Sequence, residues 1–390
     1  MYKIQTLNAI SDVIHEYLSA ENYLIAKDEP VPDAILVRSA EMNGTVLPAS
    51  LLAVARAGAG TNNIPIDECT RRGIAVFNTP GANANAVAEL AICALMLCSR
   101  NICGGIEWVK TELKGKGAEV AKLVEKGKNQ FVGPEVRGKS LGVIGLGAIG
   151  AIVANAAAQG LGMNVLGFDP FISVESAWSL SRSIKRFNNI DDAYAQSDYL
   201  TVHVPLTEST QYMINAAAIA KMRNGVHILN FSRADLVDPK AMIAALESGK
   251  VGGYVTDFPC DELIGVKNAI LIPHLGASTP ESEENCASMA AMELKNYLES
   301  GQIQNSVNLP DMMLGYSTGS RVQIIHDNVP NMVSSISAAI SAKQINIDNM
   351  LNKSRKEVAV TVMELDTHPD EAVLAEIRAL PGIIRVRAFS

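Results

Sequence analysis

The chain has 390 residues, of which 48% are hydrophobic and 19% are charged, and its formal net charge at pH 7 is −8. This length predicts two or three domains, because one hydrophobic core rarely grows so large. The composition excludes a disordered chain. The acidic balance argues against a nucleic-acid-binding surface as the main role.

The cysteine pattern and the apolar segments indicate the cellular compartment in which the protein is expected. The six cysteines show neither a Cys-x-x-Cys pair nor the Cys/His spacing of a zinc site, so we expect reduced thiols and no metal. The first ten residues lack the apolar region of a secretion signal. Glu89 interrupts the apolar run 86–98, and glycines and polar residues interrupt the run 141–162. We therefore expect a cytoplasmic protein without a membrane partner.

Short apolar strands alternate with polar loops in the first 80 residues. Strands are predicted at 34–37, 51–55 and 74–77, and each ends in polar residues or glycines. An open α/β sheet places its ligand at such strand ends. A long helix follows at 82–100, and the Lys-, Glu- and Gly-rich stretch 101–137 is predicted to be an exposed arm or subunit contact.

Strands and helices alternate again from residue 138 to about 273, which indicates a doubly wound parallel sheet. Its predicted strands are 141–145, 164–168, 199–204, 226–231, 251–257 and 269–272. A helix is predicted at 278–300. The last 70 or so residues are expected to form a separate unit, whose apolar periodicity predicts the order βαββαβ.

A glycine-rich turn follows the first of these strands. It has the pattern Gly-x-Gly-x-x-Gly, with Gly145, Gly147 and Gly150. The first glycine permits a tight turn, the second lets the backbone approach a pyrophosphate, and the third lets helix and strand pack closely. The helix that begins with Ala148 and Ile149 presents its N-terminus to the phosphate charge. The turn predicts a dinucleotide-binding domain.

An acidic residue favours one dinucleotide over the other. Asp169 directly follows the strand 164–168. A carboxylate in this place accepts hydrogen bonds from both ribose hydroxyls and repels a 2′-phosphate. NAD is therefore predicted in preference to NADP.

The predicted fold class is α/β, with two doubly wound Rossmann-like domains and a C-terminal ferredoxin-like βαββαβ domain. The substrate-binding domain is predicted to comprise 1–82 and 275–305, and the NAD-binding domain 83–274. A linker at 306–319, which contains a proline and two glycines, would precede a regulatory domain at 320–390.

Three successive strand ends carry the residue types that oxidation of a 2-hydroxy acid needs. They present Arg233, Glu262 and His274. A guanidinium can hold a carboxylate with two parallel hydrogen bonds. A histidine can take the hydroxyl proton, and a carboxylate raises the pKa of that histidine. These three residues are the predicted catalytic set.

The motifs resemble those of the D-isomer-specific 2-hydroxyacid dehydrogenases over nearly the whole chain. Arg233 and His274 match the family's Asn-x-x-Arg-Gly and Pro-His-Leu/Ile-Gly patterns, although Ala234 replaces the glycine. The resemblance implies that 201–205 line the adenosine side of NAD. His203 and Pro205 would then be cofactor-binding residues, and His203 would not be the catalytic base.

The catalytic acid depends on the register between this chain and the family pattern. Counting from Gly253 without a gap puts Asp257 on the family's cofactor-binding Asp and Glu262 on its catalytic Glu, with Leu263 in place of the usual proline. Registering on the Phe-Pro pair at 258–259 would select Asp261 instead. We prefer Glu262 as the catalytic acid and keep Asp261 as the alternative.

The N-terminal segments resemble the branch of the family that acts on 3-phosphoglycerate. Residues 37–40 and 55–63 resemble its substrate strands, and 78–83 resemble the following loop. Two arginines would supply the charge for a phosphate that an acidic chain otherwise lacks. The substrate-binding residues implied are Arg38, Ser39, Arg56, Gly58, Gly60 and Asn83.

The C-terminal residues resemble an ACT domain, a βαββαβ module that binds amino acids between paired copies. His326, Asn328 and Asn346 match the contacts to L-serine in serine-inhibited members. Asn331 and Thr318 stand where those members have glycines.

Taken together, the resemblance implies oxidation of 3-phospho-D-glycerate to 3-phosphohydroxypyruvate with NAD. This is the first step of L-serine biosynthesis, and a homodimer or homotetramer with L-serine as regulatory ligand is expected. Two alternatives stay open. One is another D-2-hydroxyacid dehydrogenase, such as a glycerate or erythronate-phosphate enzyme. The other is a non-catalytic NAD-sensing protein of the co-repressor kind.

Overall fold

A computed structural model describes residues 1–315 and 319–389. In these ranges the strands are β1 Tyr2–Leu7, β2 Tyr23–Ala26, β3 Ala34–Val37, β4 Ala53–Arg56, β5 Ala75–Asn78, β6 Ser140–Ile144, β7 Asn164–Phe168, β8 Lys185–Arg186, β9 Tyr199–Val202, β10 Val226–Asn230, β11 Val251–Thr256, β12 Ala269–Leu271, β13 Ser320–Asp327, β14 Ile347–Arg355, β15 Val358–Leu365 and β16 Ile383–Phe389. The α-helices are α1 Ile66–Arg71, α2 Ala84–Ser99, α3 Ile102–Glu112, α4 Val120–Gly127, α5 Ala148–Asn155, α6 Val174–Ser179, α7 Ile190–Gln196, α8 Ala216–Lys221, α9 Pro239–Glu247, α10 Pro280–Ser300, α11 Met332–Ser341 and α12 Glu371–Arg378.

The chain divides into two compact units. The first comprises Met1–Asn83 and Pro280–Ser390, and the second comprises Ala84–Thr279. The predicted fold class is confirmed, since the units contain two parallel α/β sheets and a C-terminal antiparallel sheet with two helices.

The first unit is built on a five-stranded parallel sheet of order β2-β1-β3-β4-β5. All four residues of β3 are buried, as expected for a strand covered on both faces. The face of α10 that packs on the core is made of small and large apolar residues, among them Ala290, Leu294 and Tyr297. The sheet directs the carboxyl ends of β3 and β4, with Arg38 and Arg56, to one edge.

The second unit is a seven-stranded parallel sheet of order β12-β11-β10-β9-β6-β7-β8. Every residue of β9 is buried, and so are the last four of β6. The strand order reverses at β6, so the glycine-rich turn that follows it lies at the switch point where such sheets bind ligands. Adjacent carboxyl ends at this edge lead into Asp169, His203, Arg233 and Asp257.

The C-terminal βαββαβ module forms an antiparallel sheet of order β14-β15-β13-β16. One face is covered by α11 and α12, where Ile324, Ile336 and Ile377 are fully buried. The other face belongs to the core of the first unit, through residues that include Val360 and Val362. The module was expected to be a separate unit, but it packs on the parallel sheet domain with its helix-free face.

Polar side chains of this module also cap the C-terminus of α10. Arg387 donates from Nη1 to the carbonyl of Tyr297 over 3.1 Å and from Nη2 to that of Leu298 over 2.8 Å. Arg321 donates to the carbonyl of Ser300 over 3.0 Å. The last carbonyls of a helix have no partner within it, and cations are favourable there. The module therefore completes α10.

The predicted linker differs from the structure in its first half. Asn308 is buried, and its side-chain amide makes hydrogen bonds to the backbone of the edge strand β5 that a neighbouring strand would otherwise make. Its Oδ1 accepts from the backbone N–H of Val76 over 2.8 Å, and its Nδ2 donates to the carbonyl of Ile74 over 2.9 Å. Leu309 is fully buried. The proline and glycine pattern indicated an exposed connection because it gives no sign of these distant contacts. Thr318 lies outside the described residues, and the three-domain boundaries stay a prediction.

The stretch 101–137 contains α3 and α4, neither of which has a buried residue. Ile102, Ile106 and Val109 lie on one side of α3 and are 38%, 48% and 49% exposed. In the described part of the chain, no single helix has the length and apolar character of a membrane span. The pair α2 and α3, bent by 64°, reaches that length and apolar character only when taken together.

Candidate active site

The three glycines of the turn after β6 meet different surroundings. A β-carbon at Gly145 would lie 2.5 Å from the carbonyl oxygen of His203, and one at Gly150 would lie 1.9 Å from that of Gly145. Neither distance is possible for a side chain, so both positions require glycine. A β-carbon at Gly147 would meet nothing within 4 Å. The open space lies at the N-cap of α5, where the turn leaves room for a phosphate group.

Asp169 is fixed against this turn. Its Oδ2 accepts from the backbone N–H of Leu146 over 2.8 Å, and its Oδ1 accepts from that of Phe171 over the same distance. The carboxylate is half-buried at the end of β7. It therefore stays beside the glycine turn, where the ribose of a dinucleotide is predicted.

His203 follows β9 and is neutral at physiological pH, because burial lowers its pKa to about 4. Its Nε2 lies 2.9 Å from Oγ1 of Thr201, whereas Nδ1 is buried without a partner among the described residues. An unpartnered buried nitrogen beside an open cradle fits a bound cofactor. Ala148 and Ile149 begin α5, and Pro205 is exposed with its carbonyl held by Oγ1 of Thr210 at 2.7 Å.

Arg233 is exposed after β10, and its loop is held by a buried amide. Asn230 donates from Nδ2 to the carbonyl of Arg233 over 2.8 Å and accepts at Oδ1 from the backbone N–H of Ser232 over 3.2 Å. The guanidinium contacts only its own loop among the described residues, through Nη1 to the carbonyl of Ser232. It is free to receive an anion.

His274 has a left-handed backbone with φ of +53°, which is unusual for a residue other than glycine. Asp257 holds this conformation. Its backbone carbonyl accepts from the N–H of His274 over 3.1 Å, and its carboxylate accepts from the N–H groups of Leu275 and Gly276, each over 2.7 Å. Asp257 is 2% exposed, so its carboxylate positions the histidine loop, a role that sequence analysis missed. Its contact with the cofactor stays a prediction.

His274 contacts neither of its two candidate acid partners in the described structure. Glu262 and Asp261 are both exposed in a short 3-10 turn, and no ion pair or hydrogen bond joins either to His274 among the described residues. The neighbour of the His274 ring is Phe258, edge-on at 5.1 Å between centroids. Glu262 instead lies against Cys260, whose thiol has a pKa raised by burial and by this carboxylate.

In the first unit the two candidate substrate arginines lie together. Nε of Arg56 donates to the carbonyl of Arg38 over 3.0 Å. A β-carbon at Gly58 would lie 2.8 Å from Nη1 of Arg56, and one at Gly60 would lie 3.4 Å from it, so both glycines make room for the guanidinium. Ser39 is exposed and Asn83 is half-buried.

Two side chains in this region were not singled out from the sequence. Oδ1 of Asn8 accepts from the backbone N–H groups of Ser39 and Ala40, over 2.9 and 2.7 Å, and so shapes the loop after β3. Glu283 contacts the Arg38 guanidinium, with 2.5 Å between Oε1 and Nη2. Residues 245 positions apart give no local sequence signal for such a contact.

The three candidate regulatory residues do not meet within one chain. His326 is buried, with Nδ1 against the carbonyl of Asp327 and Nε2 against Oγ1 of Thr361, each at 2.8 Å. It lies opposite Ala359 on β15, whereas Asn346 precedes Ile347, which lies opposite Leu365. Six residues of strand separate these places, about 20 Å. Asn328 is exposed and donates to the carbonyl of Lys356.

Metal-binding groups are not apparent in residues 1–315 and 319–389, where no three His, Cys, Asp or Glu side chains are grouped to hold an ion. The cysteines of the same ranges are all free thiols.

Comparison with known proteins identifies the second unit. Residues 92–276 match the model of the D-isomer specific 2-hydroxyacid dehydrogenase, NAD binding domain. NAD is thus confirmed as the cofactor, and the glycine turn, Asp169 and the unpartnered nitrogen of His203 fit it.

Curated relatives match a larger part of the chain. The D-3-phosphoglycerate dehydrogenase of Haemophilus influenzae is 31% identical over 351 residues, which cover 87% of this chain and 81% of that protein. That of Synechocystis sp. is 36% identical over 292 residues, which cover 73% of this chain and 50% of that protein. The chain spans about half the length of several curated relatives that it matches.

A solved structure shares the fold. The NAD+-bound 3-phosphoglycerate dehydrogenase of Entamoeba histolytica is 25% identical, with a TM-score of 0.60, and the match covers 79% of this chain and 98% of that one. With the relatives above, this result assigns the chain: it belongs to the D-isomer-specific 2-hydroxyacid dehydrogenase family.

Proposed function

We propose that this protein oxidises 3-phospho-D-glycerate to 3-phosphohydroxypyruvate with NAD, the first step of L-serine biosynthesis. The observation that carries the substrate is the pair Arg38 and Arg56 at neighbouring strand ends, where Nε of Arg56 donates to the backbone carbonyl of Arg38 over 3.0 Å, in a chain of net charge −8. Two guanidinium groups at neighbouring strand ends suit a phosphate better than an uncharged substituent. Relatives at 31–36% identity are D-3-phosphoglycerate dehydrogenases.

Residues of the second unit carry the proposed proton and hydride chemistry. NAD, when bound, supplies the acceptor for the hydride that leaves C2 of the substrate. His274 takes the proton of the C2 hydroxyl at an imidazole nitrogen, and Glu262 stabilises the resulting imidazolium. Arg233 binds the substrate carboxylate with parallel hydrogen bonds. Asp257 positions His274 through the loop contacts described above.

Steady-state formation of NADH tests this assignment. The wild type should oxidise 3-phosphoglycerate far more efficiently than D-glycerate or D-lactate. Arg38→Ala or Arg56→Ala should raise KM for 3-phosphoglycerate roughly 10- to 100-fold, the value of one charge-assisted hydrogen bond of about 1.5–3 kcal/mol. The exposed Arg71→Ala is the matched control. Equal efficiency with D-glycerate would instead favour another 2-hydroxyacid dehydrogenase.

Cofactor preference has its own test. Asp169→Ala should narrow the preference for NAD over NADP, because it removes both the acceptor for the ribose hydroxyls and the repulsion of a 2′-phosphate. A wild type that binds NAD but oxidises none of the three acids would favour the NAD-sensing alternative.

The acid partner of His274 is decided by the pH dependence of kcat/KM. His274→Ala should lower kcat about 100-fold or more. Glu262→Gln should move the acidic limb of the profile to lower pH, because loss of the anion lowers the pKa of the histidine. If Asp261→Asn gives that shift and Glu262→Gln does not, the alternative register is correct.

We also propose a cytoplasmic homo-oligomer in which the apolar side of α3 contacts a second subunit. Ile106→Glu should then lower the mass measured by light scattering.

L-serine is proposed to bind where two C-terminal modules pair, since Asn346 lies about 20 Å from His326 within one chain. Titration calorimetry with serine should give heat that Asn346→Ala abolishes, and no wild-type heat at millimolar serine would reject the site.

A further inference from the structure

The Arg38 guanidinium already has an anionic partner inside the first unit. Nη2 lies 2.5 Å from Oε1 of Glu283 in the first turn of α10. Among the described residues this carboxylate is the guanidinium's only partner. Arg38 and Glu283 are 41% and 45% exposed, so water and small ions reach both groups.

A phosphate that binds Arg38 must displace this carboxylate or share the guanidinium with it. Exposed ion pairs of this kind are weak, because solvent screens the charges and two long side chains lose freedom. A phosphate dianion can therefore replace Glu283, whereas a neutral substituent has no reason to do so. The carboxylate also repels the dianion as it approaches.

We propose that Glu283 is a specificity-determining residue, whose carboxylate occupies Arg38 until the phosphate of the substrate replaces it. This inference rests on the proposed function, since it gives Arg38 to the phosphate. Replacing the Glu283 carboxylate at Arg38 lowers the affinity of the enzyme only for acids that carry a phosphate. Acids without one leave the ion pair intact, so their KM does not depend on Glu283.

The test compares Glu283→Gln with Glu284→Gln, an exposed neighbour in the same helical turn that does not contact Arg38 in the described structure. Both variants remove one negative charge near the start of α10. Glu283→Gln should lower KM for 3-phosphoglycerate about two- to fivefold, the range of an exposed ion pair. It should leave KM for D-glycerate unchanged, and Glu284→Gln should change neither. In an Arg38→Ala background the effect of Glu283→Gln should vanish.

A rise in KM for both acids in Glu283→Gln would overturn the inference, because the carboxylate would then aim Arg38 instead of competing for it. An unchanged KM for 3-phosphoglycerate, in an enzyme where Arg38→Ala raises it, would overturn the inference and leave the proposed function standing. If 3-phosphoglycerate is no substrate at all, calorimetry with inorganic phosphate decides. Tighter phosphate binding in Glu283→Gln than in Glu284→Gln supports the exchange, and equal binding rejects it.

Discussion

A β-carbon at Gly276 would lie 2.9 Å from Oδ2 of Asp257, so the backbone approaches this carboxylate as closely as only glycine allows. The approach lets the N–H of Gly276 donate to Oδ2 over 2.7 Å. The same carboxylate holds Leu275, and the backbone of Asp257 holds His274 in its left-handed conformation. A buried acid and a glycine thus fix the histidine that is proposed to take the proton.

Gly276→Ala should disturb catalysis more than cofactor binding. The added methyl group must push the Asp257 carboxylate away, which releases the loop at His274. Misplacement of a reacting group by about 1 Å can cost roughly 100-fold in rate, so kcat should fall about 10- to 100-fold. NAD affinity, measured by fluorescence titration, should fall by a smaller factor than kcat, because Asp257 is one of several predicted cofactor contacts beside the glycine turn and Asp169. Gly160→Ala, where a β-carbon meets nothing within 4 Å, is the control. An unchanged kcat would show that the loop needs no such anchor.

The glycine turn allows a paired test of its two roles. Gly147→Ala meets no protein atom within 4 Å and should leave the melting temperature unchanged, yet weaken NAD binding by filling the cradle. Gly150→Ala would place its β-carbon 1.9 Å from the carbonyl oxygen of Gly145 and should lower the melting temperature. Scanning calorimetry and NAD titration separate the two effects. Equal NAD affinity in Gly147→Ala and wild type would contradict the proposed phosphate position.

Glu293 predicts a pH-dependent stability in the first unit. It is buried on α10, where burial and the nearby Asp311 carboxylate raise its pKa to about 8, while the amide of Asn305 opposes the shift. The folded protein therefore binds more protons than the unfolded chain between about pH 4.5 and 8, and its stability falls as pH rises through this window. The melting temperature of Glu293→Gln relative to wild type should rise from pH 5 to pH 8.5. The exposed Glu281→Gln should show no such trend, and a difference that is constant with pH would contradict the assignment.

The cap on α10 should contribute measurable stability. Arg387→Ala removes two donors from the carbonyls of Tyr297 and Leu298, as well as a guanidinium 4.7 Å from the Tyr297 ring centroid. Two hydrogen bonds of about 0.5–1.5 kcal/mol each are lost, although both carbonyls keep another donor, the N–H of Gly301 for Tyr297 and the hydroxyl of Tyr2 for Leu298. The free energy of unfolding in urea should fall by about 2 kcal/mol. Arg378→Ala, which breaks an exposed pair with Glu371, should change it by less than about 0.5 kcal/mol.

The features predicted from sequence are those with a local cause. The glycine turn, the strand that ends in Asp169 and the βαββαβ order each follow from spacing within a few residues. The interior strand β1 was not assigned, although Lys3 and Gln5 alternate with Tyr2 and Ile4 as a half-buried strand requires. The contacts of Asn308, Glu283 and Arg387 join residues more than 80 positions apart, and the sequence carries no periodicity for them.

α10 also limits where the chain can be truncated and which domains can be exchanged by recombination. Its 21 residues extend about 30 Å, with Glu283 near one end and the carbonyls bound by the C-terminal module at the other. A gene that stopped before β13 would encode a helix whose last carbonyls lack their arginine donors and whose apolar face lacks Val360 and Val362. Recombination that exchanges this module for another regulatory domain would have to supply a new cap together with a new ligand site. The C-terminal module and α10 are therefore expected to be inherited together.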